Sequence, residues 1–216
     1  MKKITLFLLL SLLTTAECVD ELVESDPYEK VNRVVFDATD SIDQNFLRPT
    51  AEFYREYTPL FVRDSVTNFF QNIGEIDTVV NQILQGKPKL AVQDSLRFVI
   101  NTTIGLGGMF DFATRMGLVR HDEDFGQTLG YWGMSSGPYV FIPFLGPSTI
   151  RDVLGMPLSW YISGPFAIED NGTKIAFTFL DVLETRERIL AAENLIIGDR
   201  YEFTKDAFLQ SRQHSV

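Results

Sequence analysis

Apolar residues recur at three- and four-residue steps through much of the chain, the spacing that gathers them on one face of a helix. In the first such stretch Tyr28, Val31, Val35, Ala38, Ile42 and Phe46 share a face, while Arg33, Asp37, Asp40 and Asp43 take the others. Asp26-Pro27-Tyr28-Glu29 supplies the start, with Asp26 as cap, Pro27 at the first helical position and Glu29 reaching back. Arg48-Pro49 predicts a stop near Leu47, because the residue before a proline is pushed out of helical backbone. Pro49, Pro59 and Pro88 can open further helices and Gly74, Gly86 and Gly105 can close them, which predicts helices near 50–57, 60–72, 77–84 and 88–102. Later, Ile175, Phe179, Val182, Leu183, Arg186 and Leu190 mark a helix over 173–191, with Glu184 and Arg188 spaced to pair, and a last helix is expected over 199–212. Only Tyr139-Val140-Phe141-Ile142 reads as extended. The pattern is that of a single all-α domain of amphipathic helices joined by Gly- and Pro-rich segments.

The middle of the chain departs from that pattern. From Phe125 to Ile150 there are 26 residues without a charge, broken by five Gly and three Pro. No straight membrane helix tolerates so many breakers. Val153 to Ile168 adds 16 more uncharged positions, including Met156-Pro157, Trp160-Tyr161 and Gly164-Pro165. Such a region is either a buried core of turns and short helices or a surface that sits against lipid or an integral membrane partner. The apolar face of the first helix could likewise lie in a bilayer interface. Composition does not separate these readings.

The N-terminus carries an address. Met1-Lys2-Lys3 is followed by the apolar run from Ile4 to Leu13, too short to cross a bilayer, which takes roughly 20 residues. A basic start, a short apolar stretch and then small residues describe a signal peptide over residues 1–17. Residues 18–25 then form an anchor or linker, 26–212 the helical domain and 213–216 a tail. Cys18 stands where a bacterial lipobox places its acylated cysteine, although Glu17 replaces the small residue that such a box carries before it. Cleavage after Ala16, leaving Cys18 as a free thiol, is the competing reading.

Charge and chemistry narrow the function. The 216 residues hold 19 Lys and Arg against 29 Asp and Glu, a net charge of −10, so no cationic face is on offer to nucleic acid. A single cysteine excludes an intramolecular disulfide framework and a multi-cysteine zinc site, and His121 and His214 leave little for a histidine metal centre. No metal and no cofactor are expected. Gly133-Met134-Ser135-Ser136-Gly137 matches the nucleophile elbow of hydrolases, but the elbow needs a strand before the serine and a helix after it, and Gly137-Pro138 follows instead. Asp124-Phe125-Gly126 lacks every companion motif of a kinase. Gly105-Leu106-Gly107-Gly108 lacks the lysine of a phosphate loop. His121-Asp122-Glu123-Asp124 reads as a solvated acidic loop more than a cation site. No catalytic residue is assigned.

Several segments, in order, resemble the MlaA/VacJ family of bacterial outer-membrane phospholipid-transport lipoproteins. They are Asp26-Pro27-Tyr28-Glu29-Lys30-Val31-Asn32-Arg33, Arg63-Asp64-Ser65-Val66-Thr67-Asn68-Phe69 and Asn81-Gln82-Ile83-Leu84-Gln85-Gly86. Arg97-Phe98-Val99-Ile100-Asn101-Thr102 follows, with Gly105 and Gly108 after it. Asp124-Phe125-Gly126-Gln127-Thr128-Leu129-Gly130, Gly137-Pro138-Tyr139 and Gly146-Pro147-Ser148-Thr149-Ile150-Arg151-Asp152 complete the set, which covers roughly residues 24–195. Ala38-Thr39 departs from the family's aromatic-Asn pair in the first helix.

The resemblance implies a ring or disc of helices in the periplasmic leaflet of the outer membrane of a Gram-negative bacterium. It implies an amphipathic channel that takes mislocalised phospholipid from the outer leaflet and passes it to a periplasmic carrier protein, beside a trimeric porin. It also implies acylation of Cys18, with Val19 in place of the Asp that retains lipoproteins in the inner membrane. A secreted lipid hydrolase and a structural envelope scaffold are the alternatives. For the lipid passage the glycines Gly105, Gly107 and Gly108 can bring backbone close to a ligand, and Tyr139, Phe141 and Phe144 can supply an apolar wall. Tight turns that only close the ring are the other reading of the same segments.

Overall fold

The computed structural model describes residues 26–193 and 196–215; the expected signal peptide, Cys18 and the 18–25 linker lie outside the described residues. The described residues are all-α apart from one hairpin. Helix α1 (Glu29–Ile42) runs through a π-helical turn (Asp43–Leu47) directly into α2 (Arg48–Tyr57). The stop expected near Leu47 is therefore absent. The wider π turn lies where the Pro49 ring would otherwise press on a preceding carbonyl, so the helix continues around the proline. The start is also arranged differently from expectation. Asp26 does accept from the Tyr28 amide at 3.2 Å, but Glu29 pairs forward with Arg33 at 2.7 Å rather than reaching back.

Helix α3 (Leu60–Leu84) is one unbroken helix where two were expected on either side of Gly74. Packing along α4 (Pro88–Thr103), its most extensive partner, overrides the roughly 1 kcal/mol that a helical glycine costs. Gly86, by contrast, ends α3 as expected: at φ +70° it lets the Gly86 amide reach Ile83 O at 3.0 Å and the Lys87 amide reach Gln82 O at 2.8 Å. Pro88 then opens α4 in the first turn.

The middle of the chain, from residue 112 onward, holds elements that the periodicity did not show. Short α5 (Phe112–Arg115) is capped by Asp111, and α6 (Phe125–Tyr131) by Asp124, whose carboxylate accepts from the Gln127 amide at 2.8 Å. Strand β1 (Tyr139–Ile142), the one strand expected, pairs antiparallel with β2 (Gly146–Thr149), the pairs running from Tyr139 with Thr149 to Ile142 with Gly146. Helix α7 (Ile150–Ile162) keeps Pro157 inside it and leads through a 3₁₀ turn (Pro165–Ala167) to α8 (Asn171–Leu190). Helix α9 (Arg200–Ser215) closes the described chain and packs on β2, while α8 lies along α2 and α6 along α7.

The interior is the reverse of a water-soluble one. Among the described residues seven apolar side chains are buried against nineteen polar or charged ones, so burial here selects polarity. Helix α1 shows the inversion residue by residue. Val31 and Phe46 of its apolar face are 63% and 58% exposed, while Asn32 is buried and bonds to both the carbonyl of Tyr139 and the amide of Phe141 on β1.

Candidate functional site

The polar interior begins as a stripe on α3, where Asn72, Glu75, Thr78, Asn81, Gln82 and Gln85 recur at helical spacing and are all buried. Arg97 on α4 meets that stripe. Its guanidinium donates to Glu75 Oε1 at 2.9 Å, Thr114 Oγ1 at 3.0 Å, the Leu118 carbonyl at 2.5 Å and Asp111 Oδ2 at 3.2 Å. Burial works against its charge, but the Glu75 and Asp111 carboxylates outweigh that effect and hold Arg97 protonated. One turn away Gln82 donates to Asp94 at 2.5 Å, and His121 Nδ1 lies 2.9 Å from the same carboxylate. Thr128 on α6 donates to Asn81 at 2.7 Å, and Gln85 bridges Thr128 and Glu123, the latter also 2.7 Å from Lys87 Nζ. The acidic loop expected to be solvated is thus drawn inward: His121 and Glu123 are tied to α4 and α3, and Asp124 to α9.

A second knot joins the C-terminal helix to the middle of the chain. Arg212 grips Asp152 with two hydrogen bonds of 3.0 and 2.8 Å and reaches Asp124 at 2.8 Å. Gly126 and Gly155 permit it. A methyl on Gly126 would strike the Asp152 carboxylate and stand 2.8 Å from Arg212, and one on Gly155 would stand 2.6 Å from the Gly126 nitrogen. The Asp-Phe-Gly string is therefore a cap followed by a close crossing of α6 and α7. Ser135 lies exposed in the loop after α6, and the ring nitrogens with partners belong to His121, on Asp94, and His214, on the Gln210 carbonyl. The strand-serine-helix order of a nucleophile elbow is absent there: a helix precedes Ser135 and a strand follows.

Both knots carry a pH signature. Burial alone would raise the Asp111 carboxyl, but hydrogen bonds from Thr114 and Asn101 and the charge of Arg97 bring it down to about 2. Burial likewise opposes Asp152, and Arg212 holds its carboxyl below the usual range. Both folded values lie below the unfolded ones, so the stability they contribute is complete above about pH 4 and is lost as pH falls toward 2. Thermal melting of the detergent-solubilised protein should show its midpoint falling through that window. Asp111→Asn should begin from a lower midpoint and flatten the fall.

Outside, the helices present apolar side chains. Phe53, Tyr57, Leu60 and Phe61 form a knuckle where α2 meets α3, each more than 60% exposed, with the Phe53 and Tyr57 rings 4.4 Å apart. Val92, Val99, Leu106, Tyr161 and Ile175 continue such exposure on other elements. Among the described residues no helix is long and apolar enough to cross a membrane.

The six residues expected at a lipid passage fall into two groups. Gly105 and Gly108 are buried at the end of α4, where a side chain on Gly108, at φ +92°, would stand 2.5 Å from Asn72 Cβ. Gly107 turns the chain in the open at φ +73°. Tyr139 is buried among Tyr201 and Phe208 of α9, and Phe141 packs edge-on against Phe36 of α1. Phe144 is exposed at the hairpin tip. The structure brings Gly108 onto α3, Tyr139 onto α9 and Phe141 onto α1, so the two segments have separate settings. They share one feature. The non-glycine residues with positive φ, among those described, are Leu106 at 53° and Phe144 at 65°, one in each segment, and both point their side chains outward. Phe144 occupies the turn position that glycine normally fills, a strain of order 1–3 kcal/mol. The buried polar stripe itself escaped sequence reasoning; its signal was the helical spacing of Asn, Gln and Glu along α3.

An all-α domain with a polar interior and an apolar exterior defines a protein built to sit against lipid. The MlaA lipoprotein family matches residues 24–215. The chain is 32% identical over 203 residues to the intermembrane phospholipid transport system lipoprotein MlaA of Escherichia coli K12, covering 88% of this chain and 78% of that one. It is 29% identical over 203 residues to the protein of the same name from Haemophilus influenzae, covering 89% and 79%, and 38% identical over 195 residues to a Rickettsia felis protein, covering 88% and 78%. A solved structure from work on the structural basis for maintenance of bacterial outer membrane lipid asymmetry superposes with a TM-score of 0.77 at 31% identity, over 89% of this chain and 99% of that one. The chain belongs to the MlaA lipoprotein family.

Proposed function

We propose that this protein is the outer-membrane component of retrograde phospholipid transport, removing mislocalised phospholipid from the outer leaflet and passing it to a periplasmic carrier to keep the two leaflets different. The observation that carries this reading is the inversion of polarity: buried Arg97, Glu75 and Asp94 within, and exposed Phe53, Phe61 and Val31 without. A domain so built loses least free energy with its outside in acyl chains, since each buried CH₂ contributes about 0.8 kcal/mol. It sits in the periplasmic leaflet beside a trimeric porin, acts as a conduit without catalytic chemistry, and is anchored after removal of residues 1–17 by acylation of Cys18. Leu106, Gly107 and Phe144, the exposed members of the two strained segments, contact the passing lipid, while Gly105, Gly108, Tyr139 and Phe141 hold those segments in place.

Deleting the gene in its own host should let phospholipid accumulate in the outer leaflet and lower resistance to detergent and chelator, with the intact gene restoring both. An unchanged outer leaflet would favour a scaffold, and complete loss of function in a folded Ser135→Ala protein would favour a hydrolase. The intact mass of the mature N-terminus tests the anchor: an acylated Cys18 is expected, and a chain beginning with unmodified Glu17 would refute it.

A further inference from the structure

Between the end of α1, the hairpin tip and α8 lies an open groove of about 570 Å³. Phe46 from the turn after α1, Phe144 from the hairpin tip and Ile175, Phe179 and Val182 of α8 line it. The lining contains two polar residues, Thr178 midway along α8 and Lys174 one turn before it. Lys174 is half-buried and, among the described residues, forms no ion pair and no hydrogen bond through its ammonium. It also stands in the first turn of a 20-residue helix, where the helix dipole opposes a positive charge. A cation placed there gains nothing from its own helix, in a chain whose net charge is −10.

We infer that the groove holds one acyl chain of a phospholipid whose phosphate rests on Lys174. This rests on the lipid-transport reading above and assigns that function a place on the molecule. The apolar walls accept a chain, and because Asp170 already caps the N-terminus of α8, it is the unpartnered ammonium of Lys174 that supplies the positive charge a phosphodiester needs. Phe144 lines the groove from a turn conformation that its side chain disfavours, and a glycine there would remove that part of the wall. A lipid without phosphate would fill the walls and leave Lys174 bare, so the groove discriminates by headgroup as well as by chain.

The test uses the full-length protein in detergent, mixed with dioleoylphosphatidylglycerol or with dioleoylglycerol. Lipid retained through gel filtration is counted by mass spectrometry. The wild type is expected to keep one phosphatidylglycerol, at least fivefold above dioleoylglycerol. Thr178→Trp, a change at an exposed position that fills the groove, should lower retention at least tenfold. Lys174→Gln should erase the preference for the phosphate lipid. Val92→Trp, on an exposed face elsewhere, should change nothing. Wild-type retention by Thr178→Trp, an undiminished preference in Lys174→Gln, or equal loss in Val92→Trp would each overturn the groove. A host strain carrying Thr178→Trp with a normal outer leaflet would also overturn it and leave the transport reading standing. If the gene deletion leaves the outer leaflet unchanged while the retention pattern holds, the transport reading fails and the lipid site remains.

Discussion

Replacing Arg97 by alanine is expected to destabilise the fold by about 3–5 kcal/mol, the usual cost of removing one partner from a buried ion pair. Arg97 and Glu75 are each 2% exposed, and the guanidinium satisfies four acceptors on three different segments. Alanine would strand the buried Glu75 carboxylate and free the Leu118 carbonyl. For a domain of this size the midpoint of thermal melting should fall by roughly 10 °C or more. The companion double variant Arg97→Met with Glu75→Leu should recover part of the loss, because it removes the Arg97–Glu75 pair together while Asp111 and the Leu118 carbonyl still lose their donor. A melting midpoint within 2–3 °C of wild type for Arg97→Ala, or no recovery in the double variant, would show that the network is not what holds α3 to α4.

The opposite result is expected on the outside. Phe53→Glu combined with Phe61→Glu should leave melting in detergent nearly unchanged, since the two side chains are 62% and 70% exposed and hold no neighbour in the interior. Binding of the protein to phospholipid vesicles should nevertheless fall at least 100-fold. Each phenylalanine contributes about 1.5–3 kcal/mol when it enters an apolar medium, and a carboxylate adds a further penalty. A Cys18→Ser background keeps an acyl anchor from masking the change. Vesicle flotation that matches the unaltered protein would mean that this knuckle does not face lipid.

The two results separate what sequence can say from what it cannot. Period fixed the helices: α4, α8 and α9 begin and end within a few residues of where the spacing of residues such as Ile175, Phe179 and Val182 places them, and α1 begins where Tyr28, Val31 and Val35 place it, although its expected end is missing. Period does not say which face looks inward, because an amphipathic helix reads the same in water and in lipid. Hence Asn32 and the α3 stripe pass for solvated positions, and Val31 for core. The short helices α5, α6 and α7 were hidden by glycine and proline, yet their caps stand in the chain. Asp124 precedes Gln127, Asp111 precedes Thr114 and Thr149 precedes Asp152, each three residues ahead, and each caps its helix. The candidate passage was legible as two segments and no further, since close packing at Gly108 and exposure at Gly107 look alike on paper. Lys174 and its groove depend on a contact between the hairpin tip and α8 that no local pattern announces.

The inverted interior also fixes how the protein responds to temperature. Unfolding an ordinary domain uncovers apolar side chains, whose hydration raises the heat capacity by about 12–15 cal/mol/K per residue, and the stability curve bends into a dome. Here the side chains uncovered are those of Arg97, Gln82, Glu75 and their neighbours, and hydrating polar surface lowers the heat capacity instead. The two contributions offset one another. Stability should then curve less with temperature than in an ordinary domain of this size, which differential scanning calorimetry in detergent would read as a smaller heat-capacity change per residue.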